Sequence, residues 1–232
     1  MIEKILIIPE KADIERDSVA IAWENMGGKV LRIGKFWQPP KLDPSNVHVY
    51  GNDTFCLVLQ QKLGFNLISP TDDIFAKIKK KWLKRKITFL KLSDIKKLMF
   101  PTFLKSAVPK IFKASVYESL DEVKKECTKL PEETLIIQSE IVNWLNEARA
   151  FIHKGIILDC SVYEGSGDLE NAKSFLKECI AEIQIPETCV IDFGEIEGKG
   201  WALVEFNASW GAGLNGCKAE KVLPAIIDAT YC

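Results

Sequence analysis

A chain of 232 residues is long enough for one sizeable core or for two to three small subdomains. Apolar residues make up 47% and charged residues 27%, with a formal net charge of −1, which excludes a disordered chain and a molecule that binds polyanions over its whole surface. No apolar stretch approaches the roughly eighteen residues that a transmembrane helix needs.

The N-terminus lacks a long apolar signal region and reads as a first β-strand, so a cytoplasmic location is expected. Residues 4–8 form that strand, 12–26 a helix stopped by Gly27-Gly28, 29–36 a second strand, 48–50 a third and 53–63 a second helix. This alternation predicts a small open α/β unit over residues 1–70. No Gly-x-Gly-x-x-Gly follows its first strand, so it carries no dinucleotide fingerprint.

Lysines and arginines dominate residues 77–113, opposed only by Asp94. Such a run is either a solvated face or a wall for phosphates, and the lack of interleaved aromatic pairs favours a polyphosphate over RNA or DNA. Farther on, residues 134–142 and 148–158 read as strands, 168–181 as a helix, 189–195 and 201–207 as strands joined by a turn at 197–200, and 218–230 as a closing helix. The expected division is 1–70, 71–132 and 133–232, an α/β segment followed by two α+β segments.

Seven cysteines (Cys56, Cys127, Cys160, Cys179, Cys189, Cys217 and Cys232) are scattered and form no Cys-x-x-Cys pair. They read as reduced, mostly buried thiols rather than zinc ligands or a redox pair. A cysteine nucleophile wants a nearby base, and His48 and His153, the two histidines, sit in no supporting motif.

The chemistry concentrates at the C-terminal hairpin. Glu205 and Asn207, two apart in a strand, project to one face, and Asp192 in the neighbouring strand can join them. Two carboxylates and an amide oxygen are hard donors suited to Mg²⁺ that also holds phosphates. The other reading is a solvent-facing hairpin with ordinary polar residues, against which stand the apolar neighbours Val204, Phe206 and Trp210.

The spacing of Asp192, Glu205 and Asn207 resembles the Asp and Glu-x-Asn of the metal-binding hairpin in ATP-grasp enzymes, and residues 207–217 resemble the C-terminal signature of short bacterial and phage members. The resemblance implies an ATP-grasp fold with a small N-terminal open α/β subdomain and two α+β lobes clamping ATP. It implies ATP and one or two Mg²⁺ as cofactors, with Asp192, Glu205 and Asn207 as metal ligands. Residues 134–147 resemble the hinge between the lobes, where the main chain near Glu140 and Val142 meets adenine and Glu147, seven residues after Glu140, holds the ribose. Residues 100–105 resemble the strand whose lysine, here Lys105, touches the phosphates.

This sequence departs from the family in two places. Around Lys110 the usual glycine-rich phosphate loop has no glycine, so Lys110 is expected to replace backbone amides with an ammonium. Val190 stands where many relatives carry an arginine, so Arg149 or a lysine is expected to take over that electrostatic role. The implied reaction is ATP-dependent joining of a small-molecule or peptide carboxylate to an amine through an acyl phosphate, with Arg149 and Lys110 as catalytic candidates. No membrane partner is expected. The alternatives are a kinase that stops at phosphoryl transfer, a non-catalytic nucleotide-binding protein, and a nucleic-acid module using the basic face.

Overall fold

The computed structural model describes residues 4–108 and 111–232. The chain forms two compact units: Met1–Pro70, Asn146–Gly194 and Leu203–Cys232 make the first, Thr71–Leu145 and Glu195–Ala202 the second. Its elements run β1 (Ile5–Pro9), α1 (Ile14–Asn25), β2 (Lys29–Ile33), β3 (Val47–Val49), α2 (Asp53–Leu63), β4 (Asn66–Leu67), α3 (Lys80–Leu83), β5 (Ile87–Lys91), β6 (Thr102–Ser106) and β7 (Ser115–Tyr117). They continue with α4 (Leu120–Glu126), β8 (Leu135–Ser139), β9 (Trp144–His153), β10 (Ile156–Glu164), α5 (Leu169–Ile180), β11 (Thr188–Ile196), β12 (Gly200–Asn207), α6 (Ala219–Ile227) and β13 (Thr230–Tyr231).

The N-terminal segment is the open α/β unit expected from its alternation. β1 is central, pairing parallel with β2 on one side and β3 on the other. Leu6, Ile7 and Ile8 are wholly buried, as a strand covered on both faces requires. The Asp13 side chain accepts the Arg16 N–H at the start of α1, and Asn52 accepts the Phe55 N–H at the start of α2. These caps satisfy amides that the first helical turn leaves open. Val19, Ala22 and Trp23 of α1 join Val222, Leu223 and Ile226 of α6 in one core.

A second sheet has the order β10-β9-β11-β12. Phe193 stacks on Phe175 of α5 at 6.2 Å, while Phe151 and Val190 enter the core shared with α1 and α6. Residues 148–158, expected as one strand, are instead parts of the β9–β10 hairpin. Lys154 and Gly155 turn the chain with φ of 50° and 74°, a conformation that a two-residue hairpin demands. The closing helix also stops early, at Ile227; Thr230 and Tyr231 then pair antiparallel with Leu67 and Asn66.

The second unit is built on an antiparallel sheet of order β5-β8-β6-β7. One face buries Leu104, Ile136 and Tyr117 against Val123 and Cys127, the last turn and cap of α4. Lys105 pairs with Ile137 in register and therefore projects to the opposite face from Leu104.

Six of the seven cysteines are buried and Cys232 is exposed. Burial pushes the Cys160, Cys189 and Cys217 thiols up to about 12, which keeps them protonated at neutral pH. Among the described residues no helix is long and apolar enough to cross a membrane.

His48 is buried, edge-on to Trp23, and donates its Nδ1–H to the Ile227 carbonyl at 2.9 Å. Burial lowers its pKa below the ordinary 6.5, and the Ile227 bond only partly opposes this. Protonation therefore favours the unfolded chain. His48 costs nothing above pH 6.5, and stability is lost as pH falls through that value toward the lowered folded pKa. The unfolding midpoint of wild type should drop more between pH 7.5 and 5.5 than that of His48→Gln; parallel declines would show that His48 is not the group responsible.

Candidate functional site

Across the sheet of β10, β9, β11 and β12 runs a row of polar side chains, all in the first unit. Strand alternation puts Glu147 and Arg149 on one face of β9, and Glu205 and Asn207 on one face of β12. Asp192, between them on β11, is 5% exposed. Arg149 grips it through two bonds, Nε to Oδ1 at 2.7 Å and Nη2 to Oδ2 at 2.6 Å, and its third edge donates from Nη1 to the Gly213 carbonyl at 2.8 Å. Asn207 Nδ2 donates to Asp192 Oδ2 at 3.1 Å. From β10, the Tyr163 hydroxyl donates to Glu147 Oε2 at 2.6 Å.

The electrostatics of the row are lopsided, with Glu147, Asp192 and Glu205 set against Arg149. Burial lowers the Arg149 pKa, but the hydrogen bonds and charge of Asp192 outweigh it, and the guanidinium ends above its ordinary value. Glu147 moves the other way. Burial raises its carboxyl, the Tyr163 bond opposes the shift, and the charges of Glu164, Asp192 and Glu205 add to it. That crowding of like charge is what an incoming cation relieves.

Among the described residues no three His, Cys, Asp or Glu side chains form a ready-made metal cage. Mg²⁺ seldom uses one; it keeps waters and binds one or two carboxylates together with substrate phosphates. The donors fit such an ion: carboxylate oxygens from Asp192 and Glu205, an amide oxygen from Asn207, and local negative charge in excess. A carboxylate has about four acceptor sites, so Asp192 can serve Arg149 and an ion together.

The second unit places the remaining expected residues apart from one another. The Lys105 ammonium lies 5.1 Å from the centroid of the Phe75 ring. Glu140, just past β8, accepts from Lys199 Nζ at 2.8 Å and from the Lys86 N–H at 3.0 Å. The Lys199 bond first, then the Lys86 amide, holds its carboxyl below the ordinary range. Alternation along β8 puts Glu140 with Gln138, on the face opposite Lys105. On that face opens a cavity of about 560 Å³, floored by Thr88, Thr102 and Gln138 and walled by Leu98, Met99 and Pro101. Val142 is half-buried in the short link between β8 and β9. Lys110 lies outside the described residues.

Arg85, two residues before β5, is held by its own neighbours. It bonds Ser139 Oγ at 3.1 Å and the Leu83 carbonyl at 3.1 Å and lies 5.1 Å from the Trp144 ring centroid. Burial draws its pKa down to about 10, with the Glu140 charge opposing.

Residues 82–225, more than half of the chain, match a family described as an ATP-grasp domain, family 2 of its clade. The chain belongs to the ATP-grasp family. Solved ATP-grasp structures share its fold. The RimK domain protein ATP-grasp from Sphaerobacter thermophilus is 15% identical with a TM-score of 0.64, covering 97% of this chain and 99% of its own. Macrocyclase MdnC from Microcystis aeruginosa, bound with precursor peptide MdnA, is 11% identical with a TM-score of 0.60, covering 97% and 99%. N5-carboxyaminoimidazole synthetase from Staphylococcus aureus, complexed with ADP, is 12% identical with a TM-score of 0.57, covering 98% and 77%. No curated protein matches the sequence.

Sequence reasoning missed the residues that hold the ATP-grasp loop after β12. Tyr50 donates its hydroxyl to the Ala212 carbonyl at 2.8 Å, the Gly51 N–H donates to the Trp210 carbonyl at 3.0 Å, and Glu15 accepts from Leu214 and Asn215. The glycines at 211, 213 and 216 were the one signal that this loop is closely packed.

Proposed function

We propose that this ATP-grasp protein is an ATP-dependent carboxylate–amine ligase. The observation that carries the reading is the polar row in which Arg149, Asp192, Asn207 and Glu205 meet on one sheet face. In this reading Asp192, Glu205 and Asn207 hold one or two Mg²⁺ ions, which when bound neutralise the charge on the ATP phosphates. Lys105 and Lys110 meet the phosphates, Glu147 holds the ribose, and the chain near Glu140 and Val142 meets adenine. Segments 1–70, 71–132 and 133–232 then serve as a preceding α/β subdomain, a small lobe and a large lobe.

The acceptor carboxylate attacks the γ-phosphorus, forming an acyl phosphate and releasing ADP. The amine then attacks the acyl carbon, losing a proton and expelling inorganic phosphate to leave an amide. Arg149 supplies positive charge to the oxygens on which negative charge builds in both steps. The first step is mainly alignment and charge neutralisation. The S. aureus synthetase complexed with ADP supports a nucleotide site, and the macrocyclase bound with a precursor peptide supports a peptide among the possible substrates.

Calorimetric titration with ATP, with and without Mg²⁺, tests the site, and a screen of carboxylates and amines for ADP release tests the chemistry. Mg²⁺-dependent binding followed by ADP and an amide product is expected. A stable phosphorylated product without amide selects a kinase, and binding without ADP release from any pair selects a non-catalytic binder.

A further inference from the structure

We propose that Glu15, in the first turn of α1, is a positioning residue that sets the Arg149–Asp192 pair through the loop after β12; this rests on the nucleotide site proposed above. Glu15 does not serve its own helix. The N-terminus of α1 is capped by Asp13, while the Glu15 carboxylate reaches residues 199 and 200 positions away. Its Oε2 accepts the Leu214 N–H at 2.9 Å and its Oε1 the Asn215 N–H at 2.7 Å. Asn215 has φ of 46°, a left-handed conformation that a non-glycine residue keeps only when its surroundings hold it.

Gly213, just before Leu214, offers its carbonyl to Arg149 Nη1. A Cβ on Gly213 would stand 2.6 Å from Glu15 Oε2, so a side chain there would displace the carboxylate from its two amides, while Arg149 Nη1 at 3.8 Å is in ordinary contact. The loop thus transmits one constraint. Glu15 fixes two successive amides, these fix the Gly213 carbonyl, and that carbonyl fixes the third edge of a guanidinium whose other edges hold Asp192. A planar guanidinium anchored on three sides cannot swing; released at Gly213, it can pivot about Asp192 and move the carboxylate with it. Glu15 itself stands on a helix whose Val19, Ala20 and Trp23 are locked in the core, the rigid support that positioning needs.

The test is ATP affinity with and without Mg²⁺, alongside the melting temperature, for wild type, Glu15→Gln, Glu15→Ala and the cap variant Asp13→Ala. Gln keeps the length but turns an NH₂ toward one of the two amides; Ala removes both acceptors. The expected result is Mg-ATP affinity about tenfold lower in Glu15→Gln, and lower still in Glu15→Ala, with metal-free ATP affinity within about twofold of wild type. Asp13→Ala should lower the melting temperature and leave Mg-ATP affinity in place. Equal falls with and without Mg²⁺, an unchanged Mg-ATP affinity in Glu15→Gln, or an Asp13→Ala effect as large as that of Glu15→Gln would overturn the proposal. Wild type that binds no Mg-ATP overturns the nucleotide reading itself, and the role of Glu15 with it.

Discussion

Glu205→Gln is expected to lower Mg-ATP affinity about a hundredfold or more while leaving the fold intact. Gln has nearly the same shape and keeps one oxygen, so packing beside Phe206 survives. What is lost is a negative charge in a row where Glu147 already feels the charges of Asp192 and Glu205 and Arg149 responds to both. In the proposed site a hard cation would therefore lose a ligand and part of the field that attracts it. Removing one of several like charges also relieves repulsion, so the unfolding free energy should stay within about 0.5 kcal/mol of wild type. Titration at fixed Mg²⁺ and a denaturant melt check both halves. Affinity within twofold of wild type would remove Glu205 from the metal site.

Asp192→Ala is expected to have the largest effect on stability, a loss of about 3–5 kcal/mol. The side chains of Arg149 and Asp192 are only 12% and 7% exposed, so water cannot take over when one partner goes. Arg149 stays charged, because a guanidinium holds its proton far above neutral pH even where burial opposes it, and it is left as a buried cation without its counter-charge. The double variant Arg149→Met/Asp192→Leu removes both charges and should recover most of the loss, since apolar residues of similar volume commonly replace a buried pair without penalty. Urea unfolding of the two single variants and the double completes the comparison. A loss below about 1 kcal/mol for Asp192→Ala would mean that the pair is solvated and behaves as a surface bridge.

Local signals in the sequence carried the architecture well. The helices expected at 53–63 and 168–181 begin within a residue of those positions, where Asn52 and Asp168 cap them, a short-range arrangement between a side chain and amides two or three residues on. The Glu-x-Asn of β12 was readable because strand alternation alone decides that Glu205 and Asn207 share a face. The turn at Lys154-Gly155 was hidden, since apolar residues on both sides made one long strand look continuous; only the glycine betrayed it. Arg149 was singled out as a stand-in for the arginine that Val190 replaces, but nothing in the sequence reveals that it grips Asp192, 43 residues away. Glu15 left no trace at all. An acidic residue in a first helical turn satisfies every local rule, and its actual partners belong to a loop near the other end of the chain.

That distance has a consequence for how the protein is made. β1, β2 and β3 are complete within the first 49 residues, yet Glu15 waits until Leu214 and Asn215 exist before it has anything to hold. A nascent chain that has emerged only as far as β3 therefore lacks both the α6 side chains that α1 packs against and the loop that anchors the guanidinium. Contacts that close loops of such length form late and slowly. The polar row around Arg149 does not assemble piecemeal as the chain grows; it is completed in a single late step, and an interrupted translation product lacks the loop that anchors it.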